Sequence, residues 1–113
     1  MAPKRVLVTG VFGLIPGAVY LALKGQPDRY EVYALARRRV PSERAPDERV
    51  VEVAEDRFHL ADLSDFDAVQ AAVEGMDIVV QMAADPRPEA SWESVLASNV
   101  VGVRNVFEAA HRA

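Results

Sequence analysis

The stretch that decides the fold is Val6-Leu-Val-Thr-Gly10-Val-Phe-Gly13-Leu-Ile-Pro16-Gly17. Its first four residues are aliphatic or β-branched, which is typical of a strand buried on both faces. Gly10 and Gly13 then allow a tight turn and a close approach of a ligand to the backbone. The helical pattern that follows directs unpaired N–H groups and the positive end of its dipole at this turn. We therefore interpret the stretch as an anion site suited to a pyrophosphate.

The composition indicates one folded domain that binds neither nucleic acid nor membrane. The chain has 113 residues, of which 50% are hydrophobic, and a net charge of −4. Dedicated nucleic-acid and anionic-membrane binders carry a basic excess instead. The sequence has no cysteine, and His59 and His111 lie far apart, so we expect no metal site. Because no signal-peptide core follows the N-terminus, we expect a cytoplasmic protein.

Strand patterns and helix patterns alternate along the rest of the chain. Two short blocks, Val50–Val53 and Phe58–Ala61, are both candidates for the third strand, and we favour the second because it ends in Asp62. The pattern predicts the other strands at 6–9, 30–36 and 77–82, and helices at 14–24, 64–75 and 91–112. Ser64 is the predicted N-cap of the middle helix. This order predicts an α/β fold with a Rossmann-like parallel sheet and helices on both faces.

Several candidate ligand-binding residues directly follow predicted strand ends. The glycine turn follows the first strand, Arg37 the second, Asp62 the third, and Ala83-Ala84 the fourth. Ligands of such sheets bind beyond the carboxyl ends of the strands. We therefore expect these residues to gather at one edge of the sheet.

Four motifs in register resemble the extended short-chain dehydrogenase/reductase family, the NAD(P)-dependent sugar epimerases, dehydratases and related dehydrogenases. The motifs are Thr9-Gly10-x-x-Gly13-x-Ile15, Asp62-Leu63, Gln81-Met-Ala83-Ala84 and Asn99-Val-x-Gly102-x-x-Asn105-Val-x-Glu108-Ala-Ala110. The likeness covers nearly the whole chain except residues 38–57. It implies that residues 1–113 are the N-terminal portion of a doubly wound NAD(P)-binding domain.

The resemblance also implies a role for individual residues. Asp62 would accept a hydrogen bond from the adenine amino group, with the Leu63 backbone beside it. Ala83 and Ala84 would line the path of the ribose and nicotinamide, and Asn99 would support the catalytic lysine through a water and the backbone. The residues expected around the pyrophosphate are Gly10, Phe12, Gly13, Leu14 and Ile15.

The resemblance implies that the residues that carry the family's chemistry lie beyond residue 113. The family uses a Tyr-x-x-x-Lys pair and a serine or threonine, all beyond the position of residue 113. Tyr30 and Tyr33 lack a lysine four residues later, and Tyr20, which has Lys24 at that spacing, lies in the helix predicted at 14–24, far before the family position. The resemblance thus implies the cofactor-binding portion of an oxidoreductase or epimerase/dehydratase, inactive alone. The full-length parent would act on a small-molecule substrate, a sugar nucleotide or related hydroxyl compound.

The sequence departs from the family pattern at two places. Pro16 occupies the third glycine position and Gly17 comes one residue late, so we expect weaker cofactor binding and a helix displaced outward. Arg37 and Arg38 follow the second strand, where an NAD-preferring member carries an acidic residue. Because a guanidinium pairs with a 2′-phosphate, we predict NADP in preference to NAD. Arg39 is equally well explained as a solvated loop residue.

Two further functional interpretations stay open at this stage. A non-catalytic NAD(P)-sensing regulatory domain that binds a partner protein would use the same fold, and a downstream Tyr-x-x-x-Lys would argue against it. A stand-alone domain would cover its exposed sheet edge by forming a homo-oligomer. In all three cases we expect Trp92 and Phe107 to be core residues.

Overall fold

A computed structural model describes residues 2–113 and contains one sheet of four parallel strands in the order β3-β2-β1-β4. The strands are β1 (Lys4–Thr9), β2 (Tyr30–Ala36), β3 (Phe58–Leu60) and β4 (Ile78–Val80). The helices are α1 (Leu14–Lys24), α2 (Phe66–Val73), α3 (Trp92–Val95) and α4 (Gly102–Arg112). A 3₁₀ turn, Glu55–Arg57, precedes β3, and a π-helical turn, Leu96–Val101, joins α3 to α4. The predicted Rossmann-like α/β fold is confirmed.

Side chains of the central strands alternate between two hydrophobic clusters, one on each face of the sheet. Leu7 and Leu35 point to the face covered by α2 and α4. Val6 and Val8 point to the opposite face, which α1 covers. The first cluster comprises Leu7, Leu35, Leu63, Val69, Ala72, Val73, Val106 and Ala109. The second comprises Val6, Val8, Val11, Tyr20, Val32, Ala34 and Ala36. The prediction of helices on both faces is therefore confirmed.

The favoured candidate for the third strand is correct. Phe58–Leu60 pairs in parallel with Ala34–Ala36 of β2. Residues 49–53, which we call the strap, instead run alongside α1 outside the sheet. Val51 and Val53 pack into the cluster beneath α1, while the Glu52 carbonyl accepts hydrogen bonds from Tyr20 Oη at 3.1 Å and Lys24 Nζ at 3.0 Å. The alternating valines of this block thus pack on a helix instead of forming a β-ladder.

The predicted cap of α2 is wrong by one residue. The N-cap is Asp65, whose carboxylate accepts a hydrogen bond from the Ala68 N–H at 3.2 Å. Ser64 donates both its N–H and its hydroxyl to Asp62 and is therefore engaged in the preceding turn. Gly75 follows the helix in a left-handed conformation with φ of 81°, as expected for a glycine that ends a helix.

The C-terminal helical segment has the predicted extent but not the predicted orientation of its aromatic residues. Trp92 and Phe107 are 66% and 68% exposed, so the prediction that they are core residues is wrong. α4 turns the face formed by Gly102, Asn105, Val106 and Ala109 to the protein. Phe107 lies one residue, or about 100° of rotation, beyond Val106 and therefore faces outward. None of the helices in residues 2–113 has both the length and the apolar character needed to cross a membrane.

Gly102 allows α4 to pack closely on the loop after β3. A Cβ added at Gly102 would lie 2.8 Å from Leu63 Cβ, closer than side-chain carbons approach one another. We expect Gly102→Ala to lower the free energy of unfolding of the intact protein by about 1–3 kcal/mol, measured by denaturant titration.

Gly25→Ala is the matched control for that variant. Gly25 has a φ of −69°, and an added Cβ would lie 3.5 Å from the nearest carbonyl oxygens. Its stability should stay within about 0.5–1 kcal/mol of wild type. Equal stability of the two variants would contradict the close packing of α4 on Leu63.

Candidate functional site

A cleft of about 1040 Å³ runs along the carboxyl edge of the sheet. Each of the four strands contributes the residues that follow it, as ligand sites in parallel sheets require. Eleven of the predicted site residues line this cleft: Gly10, Phe12, Gly13, Leu14, Ile15, Arg37, Arg38, Asp62, Leu63, Ala83 and Ala84. The twelfth, Asn99, does not line it. The sequence therefore predicted eleven of the 26 residues that line the cleft.

The glycine turn needs glycine at Gly10 for two independent reasons. Its φ is 71°, and a Cβ there would lie 2.8 Å from Cα of Ala83. A Cβ at Gly13 would lie 3.1 Å from Cγ of Pro16, so the proline ring fills the space next to this glycine. The turn is closed by the Gly13 N–H, which donates to the Gly10 carbonyl at 2.8 Å.

The N-terminus of α1 points unpaired donors at the cleft. The backbone N–H groups of Leu14 and Ile15 donate to no acceptor within residues 2–113. Gly13 is the N-cap and supplies no side-chain bond, and the first turn of α1 contains no acidic residue. The donors and the positive end of the helix dipole are therefore available to an anion. Pro16 is buried in the same turn and contributes no N–H.

Thr9 connects β1 to the segment after β4, a role that the sequence analysis did not assign. Its fully buried hydroxyl accepts hydrogen bonds from the N–H groups of Met82 and Ala83, both at 3.0 Å. The same hydroxyl donates to Gln81 Oε1 at 2.7 Å. Thr9 thus fixes the backbone of the small residues that pass Gly10. The signal available in the sequence was a hydroxyl residue at the end of an otherwise aliphatic strand.

The three arginines after β2 have different surroundings. Arg37 and Arg38 are exposed and line the cleft. The Arg39 guanidinium forms an ion pair with Glu55 at 2.7 Å and stacks 4.0 Å from the centroid of the Phe58 ring. Arg39 therefore does not line the cleft, which agrees with its interpretation as a surface loop residue and not as a cofactor-binding one.

Asp62 and Leu63 are held in place from two sides. Both hydrogen bonds from Ser64, one from its N–H at 2.9 Å and one from its hydroxyl at 2.8 Å, go to Asp62 Oδ1. These bonds, with a smaller contribution from the Arg37 charge, lower the pKa of the Asp62 carboxyl. Buried Asn105 donates to the Leu63 carbonyl at 2.8 Å. The Asn105 and Gly102 positions belong to the family motif, but the sequence alone did not indicate which contact they make.

The loop after β4 is fastened to the helical segment that follows it. Asn99 Oδ1 accepts from the Asp85 N–H at 2.7 Å, and Asn99 Nδ2 donates to the Asp85 carbonyl at 3.0 Å. The Asp85 carboxylate binds the Arg87 guanidinium through both oxygens and accepts a hydrogen bond from Ser94. Arg87 and Ser94 hold the pKa of the Asp85 carboxyl well below its usual range. Asn99 therefore fixes the loop backbone, and it lies in the π-helical turn.

The loop between β2 and the strap forms the remaining wall of the cleft. The Ser42 N–H donates to the Phe12 carbonyl at 2.9 Å, which ties this loop to the glycine turn. Arg49 donates to the Gly13 and Leu14 carbonyls. Sequence analysis missed both contacts because the segment has no regular pattern. Within residues 2–113 no group of three or more His, Asp or Glu side chains is arranged to hold a metal ion.

Thr9→Val replaces the hydroxyl with a methyl group of nearly the same shape. We expect it to lower the free energy of unfolding by about 1–3 kcal/mol because two N–H groups lose their acceptor. Hydrogen exchange of the Met82 and Ala83 amides should accelerate in Thr9→Val. Thr9→Ser keeps the hydroxyl and should retain slow exchange at both amides. Unchanged exchange in the valine variant would contradict the role of Thr9.

Asp85 should make the stability of the protein depend on acidic pH. The pKa of the Asp85 carboxyl is lowered in the folded state. Its contribution to the free energy of unfolding is therefore complete above the ordinary pKa of aspartate and is lost as pH falls through the folded-state pKa. Below about pH 4 we expect the free energy of unfolding to fall more steeply in wild type than in Asp85→Asn. Glu89→Gln, an exposed residue of the same loop, is the control and should follow wild type. Parallel curves for wild type and Asp85→Asn would contradict this assignment.

Comparison with known proteins points to one family. Residues 6–113 match the NAD dependent epimerase/dehydratase family. An NAD-dependent glucose-6-phosphate dehydrogenase of Haloferax volcanii is 37% identical over 107 residues, which are 95% of this chain and 38% of that protein. This chain therefore spans well under half the length of that curated relative.

Solved structures agree with the sequence match. A mutant uronate dehydrogenase of Agrobacterium tumefaciens complexed with NAD has 26% identity and a TM-score of 0.71, covering 98% of this chain and 37% of its own. UDP-glucose 4-epimerase of Thermus thermophilus, also in complex with NAD, has 25% identity and a TM-score of 0.75, covering 96% and 34%. The resemblance inferred from the sequence motifs is confirmed, and the chain belongs to the NAD dependent epimerase/dehydratase family.

Proposed function

We propose that the chain is the dinucleotide-binding part of an NAD(P)-dependent dehydrogenase or epimerase/dehydratase that acts on a sugar or a sugar nucleotide. The observation that carries the proposal is the convergence of all four strand ends on one cleft, with unpaired donors at the N-terminus of α1. In a protein as long as the relatives, the remaining part would supply the catalytic pair and most of the substrate pocket.

The glycine turn fits a pyrophosphate. Gly10 and Gly13 both line the cleft, so the backbone of the turn is accessible to a ligand. The N–H groups of Leu14 and Ile15 would donate to phosphate oxygens, and the helix dipole would stabilise the negative charge. No acidic side chain in the first turn of α1 opposes that charge.

The adenosine end of the cofactor would lie between the ends of β2 and β3. All hydrogen bonds to Asp62 from Ser64 go to Oδ1, and Oδ2 makes none within residues 2–113, so Oδ2 would accept from the adenine amino group. Arg37 and Arg38 would pair with a 2′-phosphate, which supports NADP in preference to NAD. The two solved relatives named above are complexes with NAD. A preference of this chain for NADP would therefore come from Arg37 and Arg38.

The nicotinamide end would pass over Ala83 and Ala84. A nicotinamide cofactor, when bound, supplies hydride transfer to or from carbon. The chain's own contribution is to hold the path: Thr9 fixes the Ala83 backbone, and Asn99 fixes the Asp85 backbone beyond it. Asn99 would therefore support the site through the loop, whatever contacts a catalytic lysine adds. Cytoplasmic location, the absence of a nucleic-acid partner, and self-association stay predictions.

Substitution of Arg37 tests the cofactor preference. In calorimetric titrations of the intact protein, we expect wild type to bind NADP about tenfold or more tightly than NAD, which corresponds to about 1.4 kcal/mol. Arg37→Asp should reverse the preference because a carboxylate repels the 2′-phosphate and accepts hydrogen bonds from ribose hydroxyls. Arg39→Asp, which changes the same charge outside the cleft, is the control. Equal preference in wild type and Arg37→Asp would overturn the NADP assignment.

A further inference from the structure

We propose that Arg49, from the strap alongside α1, is a positioning residue of the glycine turn and gives it a fixed positive charge that favours a dinucleotide pyrophosphate. The inference rests on the proposed function. Arg49 Nη1 donates to the Leu14 carbonyl at 2.7 Å, and Nη2 donates to the Gly13 carbonyl at 2.9 Å. These carbonyls belong to the N-cap and the first residue of α1, so one guanidinium holds the backbone whose next N–H groups face the cleft.

The contact with Arg49 explains why Gly17 comes one residue later than the third glycine of the family pattern. A Cβ added at Gly17 would lie 2.6 Å from Arg49 Nη2 and 3.1 Å from Cζ. If residue 17 were larger than glycine, the Arg49 guanidinium would have to move away from α1. Gly17 thus makes room for Arg49, while Pro16 occupies the position where the family pattern has its third glycine.

Carbonyl oxygens, and no carboxylate, pair with the charge of Arg49 within residues 2–113. Arg49 has no ion-pair partner among the described salt bridges, and its Nε is buried without a hydrogen-bond partner in residues 2–113. It also lies beside the positive end of the α1 dipole, which repels a cation. A cation held at this place raises the local positive potential, and a bound pyrophosphate would lower that energy.

Arg49 can therefore offset the donor that Pro16 lacks. Proline has no N–H to offer in the first turn, so the turn has one donor fewer than with glycine. The guanidinium replaces this lost attraction by charge, without contacting the ligand itself. The Ser42 N–H to Phe12 carbonyl bond at 2.9 Å fastens the same loop to the turn at a second point, which limits the movement of Arg49.

The test compares a charged and an uncharged ligand of the same cleft. In the intact protein, Arg49→Gln should weaken NAD and NADP binding about three- to tenfold in calorimetric titration, while adenosine binding stays at the wild-type level. A purely structural role in the loop wall would weaken adenosine as well. Arg39→Gln removes an equal charge from the loop that precedes the strap, outside the cleft, and should change the binding of neither ligand. Arg49→Lys should recover part of the dinucleotide affinity because it keeps the charge with fewer fixed donors.

Gly17→Ala is a second test that leaves Arg49 in the sequence. Its Cβ displaces the guanidinium, so it should also weaken dinucleotide binding selectively, and it decides the question if Arg49→Gln does not fold. Unchanged dinucleotide affinity in the folded variant, or an equal loss for adenosine, overturns the role of Arg49 alone. A wild-type protein that binds adenosine but neither dinucleotide overturns the proposed function and this inference with it.

Discussion

The close approach of Gly10 to Ala83 is the constraint on which the site depends. A Cβ at Gly10 would lie 2.8 Å from Cα of Ala83, so the end of β1 and the segment after β4 meet backbone to backbone. The Thr9 hydroxyl binds two N–H groups across this junction and keeps it closed. Because β1 and β4 are hydrogen-bonded neighbours, their carboxyl ends bring the glycine turn and the small residues Ala83 and Ala84 together.

Polar side chains fix the backbone at several points along this edge. Thr9 holds the segment after β4, Asn105 holds the Leu63 carbonyl, Asn99 holds both polar groups of the Asp85 backbone, and Arg49 holds the first turn of α1. Buried or half-buried loop backbone needs partners, and here side chains provide them. As a result, loops that have no regular sequence pattern line the cleft and are held in place by specific hydrogen bonds.

Much of this arrangement could be predicted from the residues. The aliphatic block, the spaced glycines and the alternation of strand and helix patterns were sufficient for the sheet and its ligand edge, because each rests on local periodicity. The strap was not predictable, since alternating valines pack equally well on a helix as in a strand. The outward orientation of Phe107 depends on which face of α4 meets the sheet, a tertiary choice that spacing alone does not determine. The contacts of Thr9 and Arg49 join residues distant in sequence, so no local signal describes them.

The central claim is that a dinucleotide lies along this sheet edge with its phosphates at the N-terminus of α1. Amide chemical shifts of the ¹⁵N-labelled intact protein, recorded while NAD or NADP is added, test it most directly. We expect the largest shifts at Leu14 and Ile15 in the turn and at Ala83 and Ala84 after β4. Saturable shifts confined to residues outside the cleft, such as Lys24 at the opposite end of α1 and Tyr30 at the start of β2, would contradict it.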